Sequence, residues 1–323
     1  MAWEDLYPVF LPQYDLRGLP ENVVLRALHH RYLNTFYIKS PDPYARNDKF
    51  LCVCGLPTRA VGYTRKATHL EPDEVSNMLR VNSHLPIMLY VHGNAESVHN
   101  SDTIRTFVTT DLGSIYMSFE WQGYGRDSHT RPRFGLQCAR LQEFLAFLTG
   151  AETRFCIRPT RNRIVAIGYS LGCAILLSTI EIMKRNTERR GSLVPTIADL
   201  ANKIDDVALL APFLSPSSLL LGMPGIDDLT THMFPHMNNA KAIKSVGANL
   251  IIVHGMADDI IPCTHSKELL SIYRAVHAHR NKCSELHTLP HATHITILAQ
   301  PFRNQIAQKF KFFFDLSTTD EAI

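Results

Sequence analysis

The sequence predicts a doubly wound α/β protein, a mostly parallel sheet with helices on both faces. Three observations carry that expectation. From residue 86 onward, short apolar runs alternate with amphipathic stretches of helical length, as strands joined by crossover helices do. The runs are rich in Val, Ile and Leu and end in Gly, Pro, His or Asp, the signature of strands buried on both faces. One of them, residues 163–167, passes through Gly168-Tyr169-Ser170-Leu171-Gly172 into a second apolar run. Strand, sharp turn and helix in that order are the setting of a nucleophile elbow, with Ser170 at its tip.

Taken in order, residues 1–84 read as a strand-and-loop region packed on the main domain and not as an independent unit. Residues 32–38 and 59–63 are its candidate strands, separated by a Pro- and Asp-rich loop over 40–47. The main domain then spans 85–323. Residues 86–91 form a buried strand ending in His92-Gly93-Asn94-Ala95. A weakly helical stretch over 100–110 leads to a strand over 114–119, which Gly123-Tyr124-Gly125 closes. Residues 136–148 are an amphipathic helix. The Ser170 strand and its helix follow, to about Lys184, and then strands over 206–211 and 248–253. Residues 266–278 read as helix and 286–289 as a short strand. The closing helix sets Phe302, Ile306, Phe310 and Phe313 on one face at steps of four and three.

Composition excludes several classes of function. Of 323 residues, 45% are hydrophobic and 20% charged, ordinary for a globular protein, and the net charge of +3 is too small to imply nucleic acid or an anionic surface as partner. The basic clusters Arg158, Arg161, Arg163 and Lys184, Arg185, Arg189, Arg190 read as solvated loop and helix-end charges. Seven scattered cysteines make no disulfide framework and favour a reducing compartment. Cys52 and Cys54 lack a second pair or a nearby His at zinc spacing, so no metal is expected. The N-terminus has no apolar core of a secretory signal, and no run approaches the ~18 apolar residues that cross a bilayer. A cytoplasmic protein is expected, at most peripheral to a membrane.

In a parallel sheet the site lies at the carboxyl ends of the strands. A serine hydroxyl is a poor nucleophile until a base takes its proton, and the base needs a carboxylate to fix its tautomer. After an elbow serine the acid and then the histidine follow in the chain. The strand over 250–253 runs into His254-Gly255-Met256-Ala257-Asp258-Asp259-Ile260-Ile261-Pro262, and the next ends at Leu289-Pro290-His291-Ala292-Thr293-His294. Both deliver their polar residues to the edge that holds Ser170. Asp258 or Asp259, and His291 or His294, satisfy this order.

With these blocks assembled, the chain resembles a serine-type α/β-hydrolase. The matching blocks are His92-Gly93-Asn94-Ala95, Gly123-Tyr124-Gly125, Gly168 to Gly172, and His254-Gly255-x-x-Asp258-x-x-Ile261-Pro262 with His294. Together they span residues 86–294. The chain is most similar to the cap-poor α/β-hydrolase-domain proteins, a group that includes protein depalmitoylases and lysophospholipid lipases. The resemblance implies an α/β-hydrolase fold with a minimal cap and no cofactor. It implies Ser170 as nucleophile, Asp258 as acid and His294 as base. The family spacing from His254-Gly255 favours Asp258 over Asp259, and His291 stands where relatives tend to have Gly. The oxyanion hole would use the backbone N–H of Leu171 and one from the Asn94-Ala95 turn. His92 and His254, each before a Gly at a strand end, read as structural. Glu120 and Gln122 depart from the Asp-x-Arg-Gly form of their block, and Cys173 replaces a second Gly as a small, packed helix residue.

The cap would lie over 212–240, where Phe213, Leu214, Met233 and Phe234 are candidates for a shallow acyl groove or, equally, for a loop-helix packed on the core. So small a cap leaves the serine open to a bulky small-molecule or acyl-chain substrate, with membrane contact only through that substrate. Depalmitoylating relatives carry an N-terminal cysteine cluster, whereas no Cys precedes Cys52 here, which weakens that particular substrate. The expected reaction is hydrolysis of a carboxylic ester or thioester through an acyl-enzyme. A peptidase or amidase of the same fold, and a non-catalytic binding shell, are the alternatives.

Overall fold

The structure, a computed structural model, describes residues 25–28, 32–39, 49–63, 68–94, 96–125, 132–150, 161–190, 197–219 and 237–316, with backbone alone at 186–190 and 197–199. Its strands are β1 Leu33–Lys39, β2 Lys49–Gly55, β3 Ile87–Val91, β4 Ile115–Phe119, β5 Ile164–Tyr169, β6 Asp206–Leu210, β7 Asn249–Gly255 and β8 Ser284–Leu289. They form one eight-stranded sheet in the order β1-β2-β4-β3-β5-β6-β7-β8. From β4 to β8 every pairing is parallel, while β1 with β2 and β2 with β4 are antiparallel.

The strands are buried on both faces, and their alternation divides the core in two. Ile87, Leu89 and Val91 of β3, with Ile164 and Ala166 of β5, enter one apolar cluster. It is covered by helices α3 (Phe134–Thr149) and α4 (Leu171–Arg190). Met88 and Tyr90, with Val165 and Ile167, enter the other, beneath α2 (Asp102–Thr106), the π-helical turn Phe107–Asp111 that continues it, and α7 (Phe302–Phe313). In α7, Ile306 and Phe310 are buried, and the partly buried Phe302 and Phe313 pack beside them. That is the stripe expected from the sequence. Other helices are α1 Pro72–Val81, α5 Ile197–Asn202 and α6 Thr264–His277, with short helical turns at Pro216–Leu219, Asn239–Ala242 and Ile243–Ser245.

The N-terminal reading needs correction. Residues 59–63 are not a strand but turns, closed by Ala60 N–H on Pro57 O and Tyr63 N–H on Ala60 O, each within 3.1 Å. The second strand is β2, where Phe50, Cys52 and Cys54 face one core cluster and Leu51 and Val53 the other. A strand with both faces buried has no polar alternation to reveal it. The sequence reading also did not anticipate α1. Its entry is set by Pro72 at the first helical position and by Glu74, whose carboxylate accepts the Glu71 N–H at 2.7 Å. Only Val75 and Leu79 are buried, too narrow a stripe to stand out.

Candidate active site

β5 ends at Tyr169, and Ser170 turns the chain into α4 with φ at 53°. Its N–H is held by Leu210 O of β6 at 2.9 Å. The turn is possible only with glycine on either side. A Cβ on Gly172 would lie 2.0 Å from Val91 O, and one on Gly168 would lie 2.8 Å from Cys173 Cα. Helix α4 therefore starts directly against the end of β3. Cys173 is buried in that contact, with its Sγ 3.5 Å from Leu210 O, and burial pushes its thiol up.

Ser170 Oγ lies 3.0 Å from His294 Nε2, and His294 Nδ1 lies 2.8 Å from Asp258 Oδ2. Three strand ends thus meet in one hydrogen-bonded line. Asp258 Oδ1 accepts the N–H groups of Ile260 at 3.0 Å and Ile261 at 2.8 Å. Oδ2 is also 3.3 Å from His254 Nε2. Burial opposes ionisation of Asp258, but the hydrogen bonds from His254, His294 and Ile261 outweigh it and hold the carboxyl well below its usual range. An ionised Asp258 requires the proton of a neutral His294 on Nδ1. That leaves the Nε2 lone pair to accept from the Ser170 hydroxyl. Asp259 and His291 are both exposed and stand outside this line.

His254 is a buried brace. Its Nε2–H donates to Ile261 O at 2.8 Å, and its Nδ1 meets Ser266 Oγ at 2.5 Å. His92 is also buried, its Nδ1–H on Gly93 O at 2.8 Å and its ring stacked on Trp121 with centroids 3.9 Å apart. Burial drives its imidazole down to about 3, so it is neutral.

The turn after β3 faces the start of α4. Tyr124 donates its hydroxyl to Asn94 Oδ1 at 2.7 Å; Ala95 lies outside the described residues. Leu171 opens α4, and first-turn N–H groups have no partner within a helix. Of the groove candidates, Phe213 is buried in the core and Leu214 packs partly buried against it. The Phe213 carbonyl accepts Asn239 Nδ2 at 2.7 Å, and Leu214 N–H donates to His265 Nδ1 at 3.1 Å. Met233 and Phe234 fall outside the described residues.

Three side chains that frame the site were not singled out from the sequence. Tyr169 donates its hydroxyl to His294 O, Glu96 accepts the Gly93 N–H, and Tyr124 holds Asn94. Tyr169 and Tyr124 each sit inside a Gly-flanked block, a signal that those positions are constrained. Glu96 carries no local signal.

Among solved structures, the esterase Pf2001 of Pyrococcus furiosus superposes with a TM-score of 0.54 at 14% identity, covering 94% of this chain and 95% of that one. The butyrate-bound esterase Est2 of Thermogutta terrifontis gives 0.54 at 15% identity, covering 85% and 92%. The chain has the α/β-hydrolase fold. Among curated proteins, the α/β-hydrolase domain-containing protein 17B of Homo sapiens is 22% identical over 182 residues, 56% of this chain and 53% of that protein. The lysophosphatidylserine lipase ABHD12 of Bos taurus is 23% identical over 192 residues, 58% and 45%. The uncharacterized protein YfhR of Escherichia coli K12 is 23% identical over 246 residues, 74% of each chain. No family model matches. On this α/β-hydrolase frame, no group of three or more His, Cys, Asp or Glu among the described residues is placed to hold a metal ion, and no described helix is long and apolar enough to cross a membrane.

Proposed function

We propose that the protein is a serine hydrolase that cleaves a carboxylic ester or thioester through an acyl-enzyme. The observation that carries the proposal is the line Ser170 Oγ, His294 Nε2, His294 Nδ1, Asp258 Oδ2, with contacts of 3.0 and 2.8 Å. His294 Nε2 takes the hydroxyl proton as Ser170 Oγ attacks the acyl carbon. The imidazolium so formed is stabilised by the ionised Asp258. The carbonyl oxygen becomes an oxyanion, received by the Leu171 N–H and one N–H of the Asn94-Ala95 turn. Collapse expels the alcohol or thiol, which takes the proton from His294. A water, deprotonated by His294, then attacks the acyl-Ser170 ester, and His294 returns the proton to Ser170 Oγ as the carboxylic acid leaves.

Phe213 and Leu214, with Met233 and Phe234, are proposed to border the acyl chain. The relatives include a lysophosphatidylserine lipase and esterases, and acylaminoacyl peptidases share the fold, so ester and amide are separated by turnover. A fluorophosphonate probe tests the reaction class. Wild type should be labelled and Ser170→Ala should not; absent labelling, or equal labelling of the two, would sink the reading. Turnover of p-nitrophenyl esters and acyl thioesters from acetyl to palmitoyl tests the groove, and a strict preference for acetyl argues against it. A peptide amide run beside them should be turned over far more slowly.

A further inference from the structure

We propose that Glu96 is a positioning residue for the proposed oxyanion turn. Its carboxylate sets the angle at which Gly93 and Asn94 face Ser170. Oε2 of Glu96 accepts two hydrogen bonds, from Gly93 N–H at 2.8 Å and from the Tyr90 hydroxyl at 2.5 Å. Glu96 N–H returns to Gly93 O at 3.4 Å, the same carbonyl that accepts His92 Nδ1–H at 2.8 Å. Both main-chain polar groups of Gly93 are therefore committed. On the far side of the turn, Tyr124 fixes Asn94 through its side-chain oxygen at 2.7 Å.

The turn is also tied to the base. A Cβ on Gly93 would lie 2.9 Å from Tyr169 Cδ1, so the main chain rests on the Tyr169 ring. That ring stacks on His294, and its hydroxyl donates to His294 O at 2.8 Å. A partly buried carboxylate so near the sheet is costly to place there. Its two donors are main chain of the turn and a side chain anchored in β3, so what it secures is the geometry of one relative to the other. A donor displaced by a fraction of an ångström loses much of its grip on a developing oxyanion.

The proposal rests on Ser170 as nucleophile, so the experiment opens with fluorophosphonate labelling of wild type and Ser170→Ala. If the two behave alike, both that reading and this proposal fall. If only wild type is labelled, steady-state hydrolysis of p-nitrophenyl butyrate is compared for Glu96→Ala, Glu96→Met, Glu96→Gln and Tyr90→Phe, each checked for a native circular dichroism spectrum. Glu96→Met fills the space without accepting a hydrogen bond and serves if Glu96→Ala does not fold. The expected result is kcat lower by about 10- to 100-fold in Glu96→Ala or Glu96→Met with KM within about threefold. In Glu96→Gln, whose amide oxygen still accepts from Gly93, kcat should be restored to within about threefold. Tyr90→Phe leaves the Gly93 bond in place but removes the anchor to β3, so kcat should fall by about 3- to 10-fold, between wild type and Glu96→Met; an unchanged kcat would overturn the role of the β3 anchor. Unchanged kcat in a folded Glu96→Met, a rise confined to KM, or Glu96→Gln as impaired as Glu96→Met would overturn the proposal.

Discussion

Tyr169 donates its hydroxyl to the main-chain carbonyl of His294 at 2.8 Å, and the two rings lie stacked with centroids 5.4 Å apart. The residue before the serine thus holds the residue proposed as its base, 125 positions further along the chain. Removing the hydroxyl leaves the ring stack and frees the His294 loop. Tyr169→Phe should lower kcat about fivefold, the value of one hydrogen bond of about 1 kcal/mol, with KM unchanged. Steady-state kinetics on a short-chain ester checks this, and a change confined to KM would place Tyr169 in substrate binding instead.

In the proposed reaction, Asp258 acts through the tautomer of His294. Asp258→Asn keeps the shape but favours the wrong proton arrangement, and kcat should drop by about 10³- to 10⁴-fold. Fluorophosphonate labelling should slow in parallel. Because the Asp258 carboxyl is held well below its usual range by His254, His294 and Ile261 against the opposing burial, it stays ionised as pH falls through the mildly acidic range. Any loss of activity between about pH 5 and 7 therefore belongs to another group. An Asp258 titration detected in that interval would contradict the geometry.

Acid should destabilise the fold through His92. Its folded value is driven down to about 3 by burial, against about 6.5 in an unfolded chain. Between those values the unfolded state binds the extra proton, so stability is fully present above about pH 6.5 and falls as pH drops towards 3, by up to about 1.4 kcal/mol per unit. His265, His277 and His287 are shifted down as well and add to the same trend. Urea unfolding of wild type and His92→Gln at pH 7.5 and 5 separates the His92 share. Equal pH dependence in the two proteins would refute it.

Gly172→Ala should be among the most damaging single changes. The added methyl would meet Val91 O at 2.0 Å and His92 O at 2.4 Å, main-chain atoms that cannot swing aside. Overpacking costs about 1–3 kcal/mol where side chains can yield, and here the cost should reach or exceed the upper end. Chemical denaturation measures it, and a loss below about 1 kcal/mol would mean that α4 shifts freely.

The central sheet was legible because β3 to β7 are continuous apolar runs whose ends carry Gly, His or Asp, and because α7 repeats Phe302, Ile306 and Phe310 every four residues. β2 was not, since Phe50 to Cys54 is a short run buried on both faces with no polar alternation to mark it, although Asn47-Asp48 and Gly55 flank it. Order along the chain brought Ser170 together with Asp258 or Asp259 and His291 or His294, and the resemblance to serine-type α/β-hydrolases singled out Asp258 and His294. His254 was read as structural from its place before Gly255, and Tyr169 sits in a Gly-flanked block, but their partners Ile261, Ser266 and His294 are brought near only by the fold, and Glu96 carries no local signal at all. Residues 220–236, where Met233 and Phe234 fall, lack both the strand period and the helix period that would have placed them.

Ser170 has a φ of 53°, a left-handed conformation that costs a non-glycine residue about 1–3 kcal/mol. Glycine would adopt it without strain. The fold is therefore under tension at the one side chain its proposed chemistry cannot do without. Ser170→Gly should unfold at higher urea than wild type while losing all turnover. Selection for robustness alone would remove the serine, so its presence in strained backbone is a sign of use, independent of any match to a motif.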